Sequence, residues 1–252
     1  MFELERLLIT VRTYPNPSTK YIETVCTGGI TDRGEWRRLY PVAHRYIPED
    51  HQYRTFDVIE VKVRDGTDGR PETRRPEILS LKILSRLEHW KDRVDWIKPT
   101  ILPSLDKMKV LGKTLAPVKV KEVLDFTAEK TTAEWSAAQK EKMKQEGLFD
   151  ERKPLAKIPF DFRITWRDLD NVEHRSLVIS WEFCETWRKY QQKYANPVEK
   201  MREIWIEDRC GDDRDVSFFM GNAAQHRQHF MICGIFHPPR EDTVDNLFDN
   251  IS

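Results

Sequence analysis

One segment of the sequence alternates aromatic rings with basic side chains. It reads WRRLYPVAHRY over residues 36–46. Aromatic faces stack on bases and guanidinium groups pair with phosphates, so this pattern beside a barrel strand is typical of nucleic-acid binding. The residues that we expect to take part are Trp36, Arg37, Arg38, Tyr40, His44 and Arg45. The alternative is that Trp36, Leu39 and Tyr40 form core while the arginines are solvated or paired with carboxylates.

A second polar group lies near the C-terminal end. Asn222 and Gln225 stand with His226 and His229 in a segment that we predict to be a hairpin loop. Such a loop offers several donors and acceptors, so we interpret it as a recognition loop and assign Asn222 and His226 to the nucleic-acid site. Histidine also performs acid–base chemistry near neutral pH, which leaves a catalytic alternative in which His226 or His229 acts with Asp215.

Acidic residues are concentrated in two further segments, CGDDRD at residues 210–215 and DLDNVEH at residues 168–174. Carboxylates and imidazoles can hold a divalent cation, but neither spacing matches a calcium loop, and Asp is common in turns for backbone reasons. We therefore interpret both as turns. The sequence contains no P-loop, no GxGxxG, no GxSxG and no HExxH, and we predict no catalytic residue, no metal and no cofactor.

The composition limits the class of protein. Of 252 residues, 39% are hydrophobic and 33% charged, with 8 Trp and 12 Phe, which is typical of a folded globular chain. Basic and acidic residues number 42 each, so any attraction to nucleic acid must come from their local distribution. Four widely spaced cysteines, an acidic N-terminus and the lack of an apolar run of about 18 residues predict a cytoplasmic location and no membrane contact.

The first ninety residues predict a small barrel. β-branched and aromatic residues indicate strands over residues 7–14, 22–30 and 35–42, with Gly34 in the turn before the third. Strict alternation predicts a fourth strand over residues 56–64, and residues 76–87 favour a strand over a helix. Five short strands within residues 1–90 predict an OB-like or PUA-like β-barrel.

The remaining sequence predicts an α+β protein with two further parts. Residues 91–154 indicate a mainly helical connecting region, including a helix over residues 132–149 that ends at Gly147. Residues 155–252 indicate a C-terminal α+β domain of antiparallel strands with a helical pair. Its predicted elements are strands 160–166 and 175–180, helices 181–194 and 197–208, and strands 216–220 and 230–236 around the loop 221–229.

Several of these segments resemble a known family. ETVCTGGITDRGEWRRLYPV at residues 23–42, SLVISWEF, DVSFFMGN and FMICGIFHPP are similar to both ends of a family of uncharacterised bacterial proteins. The first segment more distantly resembles the start of dual OB-containing proteins. That second resemblance implies two small barrels and nucleic-acid binding, with Trp36, Arg38 and Tyr40 at matching positions.

The residues and the resemblance together predict a nucleic-acid-binding protein without catalytic activity of its own, with DNA or RNA as partner. A bacterial multi-protein system of the defence type is a setting that fits the neutral charge and the abundant Trp. Two alternatives stay open at this point. One is a nuclease or nucleotide hydrolase that uses the C-terminal His and Asp residues, and the other is a regulatory subunit with protein partners.

Overall fold

The computed structural model describes residues 2–18, 21–143 and 155–242. It is a mixed α+β protein built mostly from strands, with a closed five-stranded barrel at its N-terminal end.

The N-terminal part contains seven strands. They are β1 (Glu3–Arg12), β2 (Asn16–Ser18), β3 (Ile22–Thr31), β4 (Trp36–Val42), β5 (Asp57–Asp65), β6 (Thr73–Pro76) and β7 (Lys82–Arg86). Five of them close a ring in the order β1-β3-β4-β6-β5, because β5 pairs with β1 as well as with β6. Strands β2 and β7 pair with the outside of this ring, on β3 and β5.

The predicted strands of the barrel are confirmed with small shifts of their ends, and a small N-terminal barrel is present. Its OB-like or PUA-like type stays a prediction. Gly34 has φ of 77° and donates to the Thr31 carbonyl at 2.9 Å, a left-handed turn geometry that glycine adopts without steric cost. The strand predicted over residues 76–87 is present only in part, as β7 over Lys82–Arg86. A 3₁₀ turn, Ile78–Ser80, separates β6 from β7, and the unpredicted strand β6 completes the ring.

The rest of the described chain supplies five helices and six strands. In order they are α1 (Trp90–Ile97), α2 (Leu105–Val110), β8 (Leu115–Lys119), β9 (Glu122–Lys130), α3 (Ala137–Met143), β10 (Phe160–Arg167), β11 (Glu173–Leu177), α4 (Trp181–Lys193), α5 (Pro197–Arg202) with a π-helical turn (Glu203–Asp208), β12 (Ser217–Ala223) and β13 (His226–Phe236). The strands form two antiparallel sheets, β11-β10-β9 and β13-β12-β8.

Two predictions for this part need correction. In the described part of the region 91–154, residues 91–143, strands β8 and β9 lie among the helices and pair with C-terminal strands, so this part is not mainly helical. Of the helix predicted over residues 132–149, α3 is present, and the predicted end at Gly147 lies outside the described residues. The loop predicted over residues 221–229 is a two-residue turn at 224–225, because β12 and β13 extend to it. The predicted hairpin and helical pair are confirmed.

The turn between β10 and β11 shows why Asp stands there. The Asp168 carboxylate accepts from the backbone N–H groups of Asp170 and Val172 at 3.0 and 3.1 Å, and from Nε2 of His174 at 2.7 Å. Burial opposes its ionisation, yet His174 and the backbone N–H groups of Val172 and Leu105 hold the pKa of Asp168 below its usual value. The interpretation of this segment as a turn is confirmed.

Besides the apolar core inside the barrel, two large apolar clusters hold the molecule together. One lies between the two C-terminal sheets and the helical pair, where the rings of Phe126 and Phe162 stack at 5.9 Å and Phe183 packs beside them. The other joins the barrel to the β13-β12-β8 sheet, where Trp36 packs on Phe219 with ring centroids 5.6 Å apart. Barrel and sheet therefore share buried apolar surface, whose removal from water stabilises their contact.

A buried polar cluster crosses the same junction. Arg38 of β4 donates to the hydroxyl and the carbonyl of Thr114, just before β8, at 2.8 and 2.7 Å. The Glu72 carboxylate accepts from the amide and hydroxyl of Thr114 at 2.8 and 2.6 Å and lies 3.9 Å from Arg38. Because buried polar groups are costly unless they are paired, this cluster fixes how the barrel meets the sheet.

Candidate ligand-binding pocket

A cavity of about 420 Å³ lies at this junction. Its walls come from the end of β1, from β2, β3 and β4, from the loop before β6 and from the β12–β13 hairpin. The polar side chains that matter most are Arg38, Tyr40, Arg70 and Asn222, and the apolar wall is formed by Cys26, Ile179, Met231 and Cys233. A cavity of this size falls within the range of small-ligand pockets, which is about 300–1,000 Å³.

Arg38 lies on the floor of the cavity. Its side chain is 1% exposed, and both terminal nitrogens are engaged by Thr114. Its Nε has no hydrogen-bond partner within the described ranges. Arg38 therefore brings a fixed positive charge to this wall, and its buried Nε–H is uncommitted.

Arg70 is the second guanidinium of the cavity. It donates to the Asp68 carboxylate at 2.5 Å and to the backbone carbonyl of Asn222 at 2.7 Å, so it ties the barrel loop to β12. Its guanidinium also lies 5.7 Å from the centroid of the half-buried Tyr40 ring, a cation–π distance. These contacts hold Arg70 and Tyr40 in place along the cavity wall.

Asn222 is presented by β12 and is 5% exposed. Its backbone N–H donates to the Thr114 carbonyl at 3.2 Å, and Nδ2 donates to the Arg227 carbonyl at 2.7 Å. Since a carbonyl only accepts, the amide is oriented with Nδ2 toward Arg227. Its Oδ1 has no partner among the residues that the structure describes.

The charged side chains on the cavity wall are basic, and each has a carboxylate partner outside the lining: Asp68 for Arg70 and Glu72 for Arg38. Two arginines line the cavity, and none of the described lining residues is Asp or Glu. The Cys233 thiol in the apolar wall stays protonated, because burial raises its pKa to about 12. Cys233 therefore packs as a small apolar group and is not a nucleophile at neutral pH.

Three of the eight predicted site residues meet here: Arg38, Tyr40 and Asn222. His226 lies next to the cavity, exposed in the first position of β13 after Gln225, which lines it. The hairpin therefore contributes to the same site as the segment 36–46, although Tyr40 and Asn222 are 182 positions apart in the chain. The structure brings these two predicted groups together.

The other four predicted residues lie elsewhere. Trp36 is 4% exposed in the core, so a base cannot stack on it without opening that core. His44 is also buried, with Nε2 2.9 Å from the Tyr53 carbonyl. Arg37 pairs with Glu5 at 2.7 Å and Arg45 with Glu23 at 2.6 Å, and neither arginine lines the cavity. The positions of Trp36, Arg37 and Arg45 are those that the alternative of core packing and ion pairing describes.

The predicted trio of His226, His229 and Asp215 does not converge. Asp215 donates through its backbone to Pro238 at the open end of the β12–β13 hairpin and pairs with Lys119. His226 pairs with Ala223 at the turn end. Eight residues of nearly extended chain separate the two ends, which at about 3.3 Å per residue is roughly 25 Å.

Arg70 is the main site residue that sequence reasoning missed. It follows the Asp-Gly pairs of DGTDGR at residues 65–70, which are turn signals. Those signals could have marked a loop with an arginine at its end. They carry no information about contact with Asn222, which is 152 residues away in the chain.

The fold and the cavity define an α+β protein whose N-terminal barrel and C-terminal sheets enclose a basic pocket between them. The chain belongs to the family described as Domain of unknown function (DUF8757), whose model matches residues 104–252. A second model, Domain of unknown function (DUF8758), matches residues 3–99. These descriptions agree with the resemblance to an uncharacterised family, and the likeness to dual OB-containing proteins stays a prediction.

No curated protein matches the chain. In the part of the chain that the structure describes, none of the helices has the length and apolar character needed to cross a bilayer.

Proposed function

We propose that this protein binds nucleic acid and that the pocket takes one unstacked nucleotide of a single strand. The observation that carries the proposal is the wall itself: two fixed guanidinium groups, no Asp or Glu among the described lining residues, and an apolar side beside Tyr40. An anionic ligand with a flat ring suits such a wall, because its negative group pairs with guanidinium groups and its ring packs on the apolar side. The chain as a whole is neutral, so the local distribution of charge supplies the attraction.

The rim supports the same ligand class. The turn end of the β12–β13 hairpin exposes His226, Arg227 and His229 beside the cavity. Arg227 also donates to the Asp68 carbonyl at 3.3 Å, which holds the hairpin against the loop that carries Arg70. An exposed arginine on a rim of this kind is suited to a phosphate of the strand that leaves the pocket.

The test is fluorescence anisotropy of labelled single-stranded DNA, duplex DNA and RNA over a series of salt concentrations. We expect single strands to bind best, with affinity that falls as salt rises because phosphate contacts release counterions. Arg227→Ala should lower the salt slope by about 1, as expected for the loss of one phosphate contact. Arg33→Ala is the matched control, since Arg33 is an exposed arginine at the β3–β4 turn that does not line the cavity.

A second pair of variants tests the ring. Tyr40→Ala should weaken binding by about 1–3 kcal/mol if a base packs on this residue. Tyr194→Ala is its control, because Tyr194 lies at the end of α4 against Tyr190 and does not line the cavity. Absent or salt-insensitive binding would contradict the proposal and favour a protein partner. Loss of the labelled strand only in the presence of magnesium would indicate a nuclease.

A further inference from the structure

Two polar atoms of the pocket residues have no hydrogen-bond partner among the described residues. They are Nε of Arg38 and Oδ1 of Asn222. Both side chains are more than nine-tenths buried, at 1% and 5% exposure, and both residues line the cavity. A buried polar group left unpaired costs about 1–3 kcal/mol, so a partner for these atoms is favoured.

The contacts around each atom decide which partner it needs. Thr114 occupies both terminal nitrogens of Arg38 at 2.8 and 2.7 Å, so Nε–H is the donor that remains. The Arg227 carbonyl occupies Nδ2 of Asn222 at 2.7 Å, so Oδ1 is the acceptor that remains. The cavity is therefore lined by one residue with an unused hydrogen-bond donor, Arg38, and one with an unused acceptor, Asn222.

We infer that the pocket selects its ligand by the edge of a nucleobase, which accepts a hydrogen bond from Arg38 Nε and donates one to Asn222 Oδ1. This inference rests on the proposed function and adds the part of the nucleotide that is recognised. Each base carries donors and acceptors side by side on its edges. A sugar phosphate lacks the flat ring that the wall of Cys26, Ile179 and Met231 can cover.

Recognition of a base edge separates this pocket from a simple phosphate site. A phosphate offers acceptors only, so it would satisfy Arg38 and leave Oδ1 of Asn222 unpaired or repelled. A base satisfies both atoms in one contact, and removal of either interaction then leaves a buried group without a partner. The affinity should therefore depend on the base and on Asn222, and less on the phosphate.

The experiment is isothermal titration of the full chain with adenosine, guanosine, cytidine and uridine, and with adenosine monophosphate against ribose 5-phosphate. We expect at least one nucleoside to bind, and Asn222→Ala to lower its affinity by about tenfold, as for loss of one base contact. Asn196→Ala is the matched control, because Asn196 is an exposed Asn before α5 that does not line the cavity, and it should leave the affinity within about twofold.

Equal nucleoside affinity for the wild-type protein and a folded Asn222→Ala variant would overturn the inference. If that variant does not fold, the two phosphates decide with the wild-type protein alone: tighter binding of adenosine monophosphate supports base recognition, and equal affinities overturn it. Salt-dependent binding of oligonucleotides with no binding of any nucleoside at millimolar concentration overturns the inference and leaves the proposed function standing. Asn222-dependent nucleoside binding without oligonucleotide binding supports recognition of the base and contradicts the proposed binding of nucleic acid.

Discussion

Replacement of Glu72 by alanine tests whether the buried polar cluster fixes the junction of barrel and sheet. The Glu72 side chain is 8% exposed and lies 3.9 Å from that of Arg38, which is 1% exposed. It also accepts two hydrogen bonds from Thr114, at 2.8 and 2.6 Å. Glu72→Ala removes these acceptors and leaves the Arg38 guanidinium without the nearest buried negative charge.

The expected loss is large because the remaining charge cannot reach water. Breaking one side of a buried ion pair costs about 3–5 kcal/mol, and about 2–4 °C of Tm is lost per kcal/mol in a chain of this length. Glu35→Ala is the matched control. Glu35 also pairs with an arginine, Arg37, at 2.6 Å, but its side chain is 53% exposed, and an exposed pair contributes about 0–1 kcal/mol.

The assay is urea unfolding of the wild-type protein and both variants, followed by Trp fluorescence and extrapolated linearly to water. The extent of burial predicts that Glu72→Ala is destabilised by several times more than Glu35→Ala. If the two variants lose the same free energy of unfolding, or if Glu72→Ala lies within about 1 kcal/mol of wild type, the cluster does not stabilise the junction and the reasoning is refuted.

The remaining predictions concern His44 and Asn171. Burial, with Arg12 nearby, lowers the pKa of His44 to about 4. Between about pH 6.5 and 4 the unfolded chain therefore binds a proton that the folded protein does not. The free energy of unfolding decreases as the pH is lowered through this range, by up to about 1.4 kcal/mol per pH unit. His44→Gln should flatten that slope in urea unfolding at about pH 5 and pH 7, and an unchanged slope would contradict it. Asn171 has φ of 63°, so Asn171→Val should destabilise by about 1–2 kcal/mol while Asn171→Gly stays near wild type in thermal unfolding; equal losses would refute left-handed strain.

Strand prediction succeeded where the local signal was strong. β5 alternates apolar and charged residues along its length, and its buried face matches that period. The strand predicted over residues 76–87, whose apolar residues fit two periods, was too long. Prediction missed β6, whose sequence TRRP has no apolar face. β6 forms because β4 and β5 hold it between them, and that is a long-range effect.

Helix prediction shows the same limit between residues 91 and 154. The charged, Lys-rich composition favoured helices there, yet β8 and β9 are strands. β8 is paired with β12, and β9 with β10. Backbone hydrogen bonds to distant strands outweigh weak local propensity, and no window of the sequence reports those partners.

The residue types and spacing were sufficient to establish a folded α+β chain, an N-terminal barrel, and two polar segments around Tyr40 and Asn222 as candidates for binding. They could not separate the arginine that lines a cavity, Arg38, from its neighbour Arg37, which pairs with Glu5. Adjacent residues of a strand point to opposite faces, and which face meets a partner depends on strand pairing. The packing of β4 against β8 and β12 placed Arg38 beside Asn222 and Arg70, and that packing arises from contacts between residues far apart in the chain.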